Sequence, residues 1–89
     1  MRINVYTQDN CTYCDVIIDR LKLWEFDFEL LNITYNPIAK EFLKKKGHTT
    51  VPQLYHLDTC LNRGYNTFDL TKEILKERYN ESIRLSQDH

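Results

Sequence analysis

Eighty-nine residues, 42% hydrophobic and 28% charged, describe one folded unit with a modest core. A net charge of −1 gives no general pull toward nucleic acid or a membrane surface, and no apolar run is long enough for a transmembrane helix. The opening Met1-Arg2-Ile3-Asn4-Val5-Tyr6 lacks a signal-peptide core and the three cysteines are an odd number, so a cytoplasmic protein without a disulfide framework is expected.

Ile3 and Val5 alternate with Arg2, Asn4 and Tyr6, which predicts a short strand ending in the polar turn Thr7-Gln8-Asp9-Asn10. Cys14, Ile17, Leu21 and Trp24 then recur at helical spacing, with Ile18 beside them. Phe26, Phe28 and Leu30 alternate with Asp27 and Glu29, a second strand running on through Leu31 and Ile33. Asn36 and Pro37 read as a helix cap and a first-turn proline. Ile38, Phe42 and Leu43 supply that helix's buried face, Lys44-Lys45-Lys46 lie near its negative end, and Gly47 stops it. Val51 to Leu57 is a strand that opens with Pro52, Asp58-Thr59 a turn, and Cys60 to Gly64 a return strand. Asn66 or Thr67 caps a third helix, with Asp69 placed to answer the cap and Leu70, Ile74 and Leu75 as its apolar face. From Asn80 the chain is polar apart from Ile83 and Leu85, so residues 80–89 read as a polar extension of a single domain spanning 1–89. The order is strand, helix, strand, helix, strand, strand, helix. Its first βαβ unit makes two strands parallel, the closing hairpin adds antiparallel ones, and a four-stranded mixed sheet flanked by helices follows.

The chemistry concentrates at Cys11-Thr12-Tyr13-Cys14. Three positions are close to one helical turn, so a helix starting here brings both sulfurs to its N-terminal end. Unpaired N–H groups and the positive dipole end favour thiolate over thiol at Cys11. A low-pKa thiol beside a second thiol able to resolve its mixed disulfide is the minimum equipment for thiol–disulfide exchange.

Cys-x-x-Cys after the first strand of a βαβ unit reads as a thioredoxin-like redox motif. Over residues 1–79 the chain resembles a small dithiol glutaredoxin of bacterial or phage type. Cys11-Thr12-Tyr13-Cys14 is close to that family's Cys-Pro-Tyr-Cys, Thr50-Val51-Pro52 matches its Thr-Val-Pro, and Gly64-Tyr65-Asn66-Thr67 stands where it has Gly-Gly-x-Asp-Asp. The resemblance implies the thioredoxin fold (α/β), Cys11 as nucleophile, Cys14 as resolving thiol, and glutathione as reductant and partner. It implies a glutathione groove of Tyr13, Thr50, Val51, Pro52, Asn66 and Thr67, with Pro52 cis and the Val51 backbone pairing with the ligand as an added strand. Asn66 and Thr67 would meet the γ-glutamyl carboxylate at a helix N-terminus. Clients would be disulfide-bearing proteins, ribonucleotide reductase among them, and the protein a monomer that holds no metal site.

Departures from the family pattern keep other readings open. Gln8 stands where most glutaredoxins have Lys or Arg, and Asn66-Thr67 replaces the acidic pair. Both keep open a thioredoxin-like donor regenerated by a reductase. Thr12 in place of proline resembles members that share a [2Fe–2S] cluster between two chains. His56 and Cys60, taken with the Cys pair, give a remote structural zinc reading.

Overall fold

The computed structural model describes residues 2–87. Strand β1 (Ile3–Thr7) is followed by α1 (Thr12–Leu23), β2 (Phe28–Asn32), α2 (Pro37–Lys45), β3 (Gln53–His56), β4 (Thr59–Cys60) and α3 (Lys72–Gln87). The sheet order is β2-β1-β3-β4, with β1 and β2 parallel and the other pairs antiparallel. This is the four-stranded mixed sheet with three helices that the sequence predicts.

Both faces of the sheet are covered, which explains why β1 does not simply alternate. Ile3 and Val5 pack with Ile17 and Leu21 of α1 and Leu75 of α3. Tyr6 faces the other way, joining Ala39 and Leu43 of α2 and Tyr55 of β3, with Phe42 stacked on it at 5.1 Å. A strand buried on both faces reads as a run, not an alternation.

Helix α1 buries Cys14, Ile17 and Leu21 at the expected spacing. Helix α2 begins as expected, with the Asn36 side chain accepting from the Ala39 N–H at 3.0 Å and Pro37 in the first turn. Its buried face is Ala39 and Leu43, with Phe42 half-buried, and the expected Ile38 is 83% exposed. One residue is about 100° around a helix, so a face centred on Ala39 and Leu43 turns Ile38 outward.

Three further expectations shift. Strand β2 starts at Phe28 and not Phe26, and as an edge strand it leaves Leu30 half exposed. The β3–β4 turn falls at Leu57-Asp58, with Leu57 at φ 54°, and β4 ends after two residues. The chain leaves the ladder because Leu61 turns into the core and the Asn62 side chain takes the Leu54 N–H at 3.1 Å. Helix α3 begins at Lys72, capped by Thr71 Oγ1, which accepts the Ile74 N–H at 3.2 Å. Asn66 does cap, but only a single turn: its Oδ1 accepts from Phe68 N at 2.9 Å and Asp69 N at 3.0 Å. Leu70 is buried ahead of the helix, not on it. The expected polar extension from residue 80 continues α3 to Gln87, where Ser82 is buried against His56. His89 lies outside the described residues.

Candidate redox site

Sheet order places the C-terminal end of central strand β1 beside the start of β3, so the loop entering α1 faces the loop entering β3. Cys11 is the N-cap of α1, with extended backbone, and its Sγ accepts the Cys14 N–H at 3.1 Å. The sulfur occupies the place a Ser or Asp oxygen takes in an ordinary cap. A thiolate there gains the same N–H as a charge-assisted bond, together with the helix dipole. Cys11 and Cys14 are joined as a disulfide with Cα atoms 5.2 Å apart. Their exposure differs: Cys11 is half-buried and reachable, whereas Cys14 is 2% exposed. The reduced pair can therefore offer Cys11 to an incoming disulfide and hold Cys14 behind it.

The loop carrying Cys11 is held by a polar network that spacing does not reveal. Asp9 accepts from Asn32 Nδ2 at 2.9 Å and from the Tyr35 hydroxyl, while the Asp9 N–H donates to Thr34 Oγ1 at 3.1 Å. The hydrogen bond from Tyr35, then that from Asn32, holds the Asp9 carboxyl below its ordinary value and pushes Tyr35 upward. Asn10, between this anchor and Cys11, takes φ 58°, a left-handed turn that Asn tolerates. Asp9 and Asp15 line the hollow beside the two cysteines together with Gln8. The cation expected in the family pattern is absent from position 8, and two carboxylates stand near the pair.

On the opposite side, the Val51–Pro52 peptide is cis. Tyr13, Thr50, Val51, Pro52, Asn66 and Thr67, the six expected groove residues, line one hollow of about 380 Å³. Gln53, Asn62, Tyr65 and Phe68 complete its wall, and no residue lining it is charged. Tyr13, 54% exposed, meets the Phe68 ring edge to face at 5.2 Å. Arg20 stacks on Phe68 at 5.7 Å and donates to the Thr67 carbonyl at 2.7 Å, which ties the Asn66 turn to α1. Phe68 had no signal in the sequence, because its role depends on that turn standing ahead of α3.

The profile of the glutaredoxin family matches residues 3–60. The chain belongs to the glutaredoxin family. Within it, the chain is 35% identical over 52 residues to the glutaredoxin-like protein NrdH of Escherichia coli strain K12, covering 58% of this chain and 64% of that one. The NrdH of Salmonella typhimurium is 31% identical over 52 residues, with the same coverage. The match thus spans just under two thirds of these relatives' length. Among solved structures, the Escherichia coli NrdH-redoxin, a glutaredoxin-like protein described as having a thioredoxin-like activity profile, superposes with TM-score 0.68 at 25% identity over 86% of this chain and 93% of its own. The glutaredoxin of Brucella melitensis gives 0.58 at 18% identity over 97% and 86%, a likeness of fold alone.

The expected carboxylate seat at Asn66-Thr67 carries local hydrogen bonds of its own. The N–H groups of Phe68 and Asp69 are already held by the Asn66 side chain, and the N-terminus of α3 lies farther on, at Thr71. For the zinc reading, the described residues contain no group of three or more His, Cys, Asp or Glu able to hold a metal. His56 is instead bonded to Ser82, and the Cys60 thiol donates to Asn62 Oδ1 at 3.2 Å. No helix among the described residues is long and apolar enough to cross a membrane.

Proposed function

We propose that this glutaredoxin-family chain is a thiol–disulfide oxidoreductase that works as a thioredoxin-like electron donor, regenerated by a flavoprotein dithiol reductase and not chiefly by glutathione. The reachable Cys11 thiolate attacks one sulfur of a client disulfide, forming a Cys11–client disulfide and releasing one client thiolate. The Cys14 thiolate then attacks Cys11 Sγ, releasing the second client thiolate and leaving the Cys11–Cys14 disulfide. Two electrons pass to the client, and the two protons of the dithiol end on the client's thiols. The reductase returns both electrons.

The observation that carries this reading is the uncharged groove. Glutathione brings two carboxylates and an ammonium, yet no ionised side chain lines the hollow formed by Tyr13, the cis-Pro52 loop and Asn66-Thr67, and the Asn66 side chain already accepts the Phe68 and Asp69 N–H groups. Gln8 in place of a cation removes a further attraction. The thioredoxin-like profile described for the NrdH-redoxin of Escherichia coli supports the same direction. Ribonucleotide reductase, implied by the family resemblance, is the client we propose, with the cytoplasm as the compartment. The test is coupled NADPH oxidation with a protein disulfide as acceptor. Turnover through a thioredoxin-type reductase, and little through glutathione with its reductase, supports the reading. The reverse pattern overturns it.

A further inference from the structure

The neutral groove does not end at the cis-proline loop. A second hollow, of about 510 Å³, shares Thr50 and Val51 with it. Val51 precedes β3, which begins at Gln53, and among the described residues its backbone enters no turn or cap hydrogen bond. A segment laid strand-like along Val51 has the groove of Tyr13, Tyr65 and Phe68 on one side and this second hollow on the other.

The two sides differ in charge. The second hollow has an apolar floor of Ile33 and Leu43, and Lys40 and Lys44, four residues apart on α2, stand over it. No acidic side chain lines it. Among the described residues neither lysine has an ion-pair partner, whereas Lys46 is paired with Asp58 at 3.4 Å. Beyond Gln8, which borders both, the hollow beside the cysteines carries Asp9 and Asp15. Around the redox pair the surface therefore runs from acidic, through basic, to neutral and aromatic.

We propose that the client is an extended protein segment with acidic residues on one flank of its disulfide, and that Lys40 and Lys44 receive that flank while the other lies along the Tyr13–Phe68 groove. This rests on the redox reading above and names its substrate class. Exposed ion pairs are each worth little in affinity, so the lysines act on encounter and orientation, and their effect is on rate.

The test is single-turnover reduction by the pre-reduced protein, so that no regenerating enzyme enters. Three peptides share one intramolecular disulfide and differ only in having Glu-Glu, Gln-Gln or Lys-Lys beside it. Acid-quenched chromatography follows each. The expected order is Glu, Gln, Lys, with roughly tenfold between the extremes at low salt, the lower end of electrostatic steering. The spread should shrink below about twofold near 0.5 M salt, where the screening length is only a few ångströms. In a Lys40→Gln/Lys44→Gln variant the spread collapses while the Gln-Gln peptide keeps its rate. A Lys72→Gln/Lys76→Gln control on α3, with the same change in net charge, keeps the spread. Equal rates for the three peptides in the parent protein overturn the inference, as does an unchanged spread in the α2 variant or an equal loss in the control. Failure to reduce any of the three removes the redox reading itself.

Discussion

Replacing Ser82 tests how far the end of α3 belongs to the fold. The Ser82 hydroxyl donates to the His56 carbonyl at 3.1 Å and lies 2.7 Å from His56 Nδ1. One hydroxyl thus serves both the carbonyl and the ring nitrogen of the buried His56. Its ring packs on Tyr79 at 4.6 Å, and burial lowers its pKa below the ordinary 6.5. Ser82→Ala leaves the buried His56 Nδ1 without its hydrogen-bond partner, at a cost of about 1–3 kcal/mol for an unsatisfied buried group. For a domain of this size each kcal/mol lowers Tm by about 4–8 °C. The pH dependence has a definite sign. Below pH 6.5 the unfolded His56 takes up a proton that the folded ring still refuses, so the unfolded state binds more protons and stability falls. The contribution is whole above the ordinary value and is lost toward the lowered one, with a slope of at most about 1.4 kcal/mol per pH unit. Urea unfolding of the parent, Ser82→Ala and His56→Gln at pH 7.5 and 5.5 measures both effects. A Ser82→Ala cost under about 0.5 kcal/mol, the range of an ordinary surface change, would refute the reasoning. So would a pH slope unchanged in His56→Gln.

Cys11→Ser should abolish disulfide reduction, whereas Cys14→Ser should trap a one-to-one Cys11–client disulfide visible by intact mass; equal behaviour of the two variants contradicts the roles drawn from their exposure. Gln8→Lys places a cation next to the cysteines and should lower the Cys11 thiol pKa, read as thiolate absorbance against pH; no shift would mean that position 8 does not face the sulfur. Asn66→Ala should cost about 1 kcal/mol as a lost cap and, by freeing the Phe68 N–H group, raise turnover with glutathione; a stability loss with no rise would separate the cap from the groove. Because its folded carboxyl titrates low, Asp9 contributes stability that is present above its ordinary value and lost as pH falls through the lowered one. Asp9→Asn should therefore remove part of the acid-side loss, measured as Tm between pH 5 and 3, and an identical acid profile would count against the Tyr35 and Asn32 contacts.

The residues most legible in sequence were those whose local chemistry and tertiary role agree. Cys14, Ile17 and Leu21 recur at helical spacing and are the residues α1 buries. Asn36-Pro37 starts a helix both by propensity and in fact. Ile38 was misleading because hydrophobicity alone does not say which side of a short helix meets the sheet, and here Ala39 and Leu43 are the residues that do. Asn66 was misleading in another way: its capping chemistry is real, but a turn of four residues uses it before α3 begins. The expected groove residues do converge on one hollow, since the Thr-Val-Pro and Asn-Thr segments both lie next to α1. Phe68, the Asp9–Tyr35 contact and the joined hollows at Val51 bring together positions far apart in sequence, and no local pattern marks them.

The central claim is that electrons enter through a dithiol reductase and leave through Cys11. The most direct measurement is NADPH oxidation with a protein disulfide acceptor, comparing thioredoxin-type reductase with glutathione plus glutathione reductase, for the parent protein and Cys11→Ser. The account predicts turnover with the first system, at least about tenfold less with the second, and none from Cys11→Ser, a margin of about 1.4 kcal/mol in transition-state free energy. Fast turnover with glutathione and none with the dithiol reductase would contradict it.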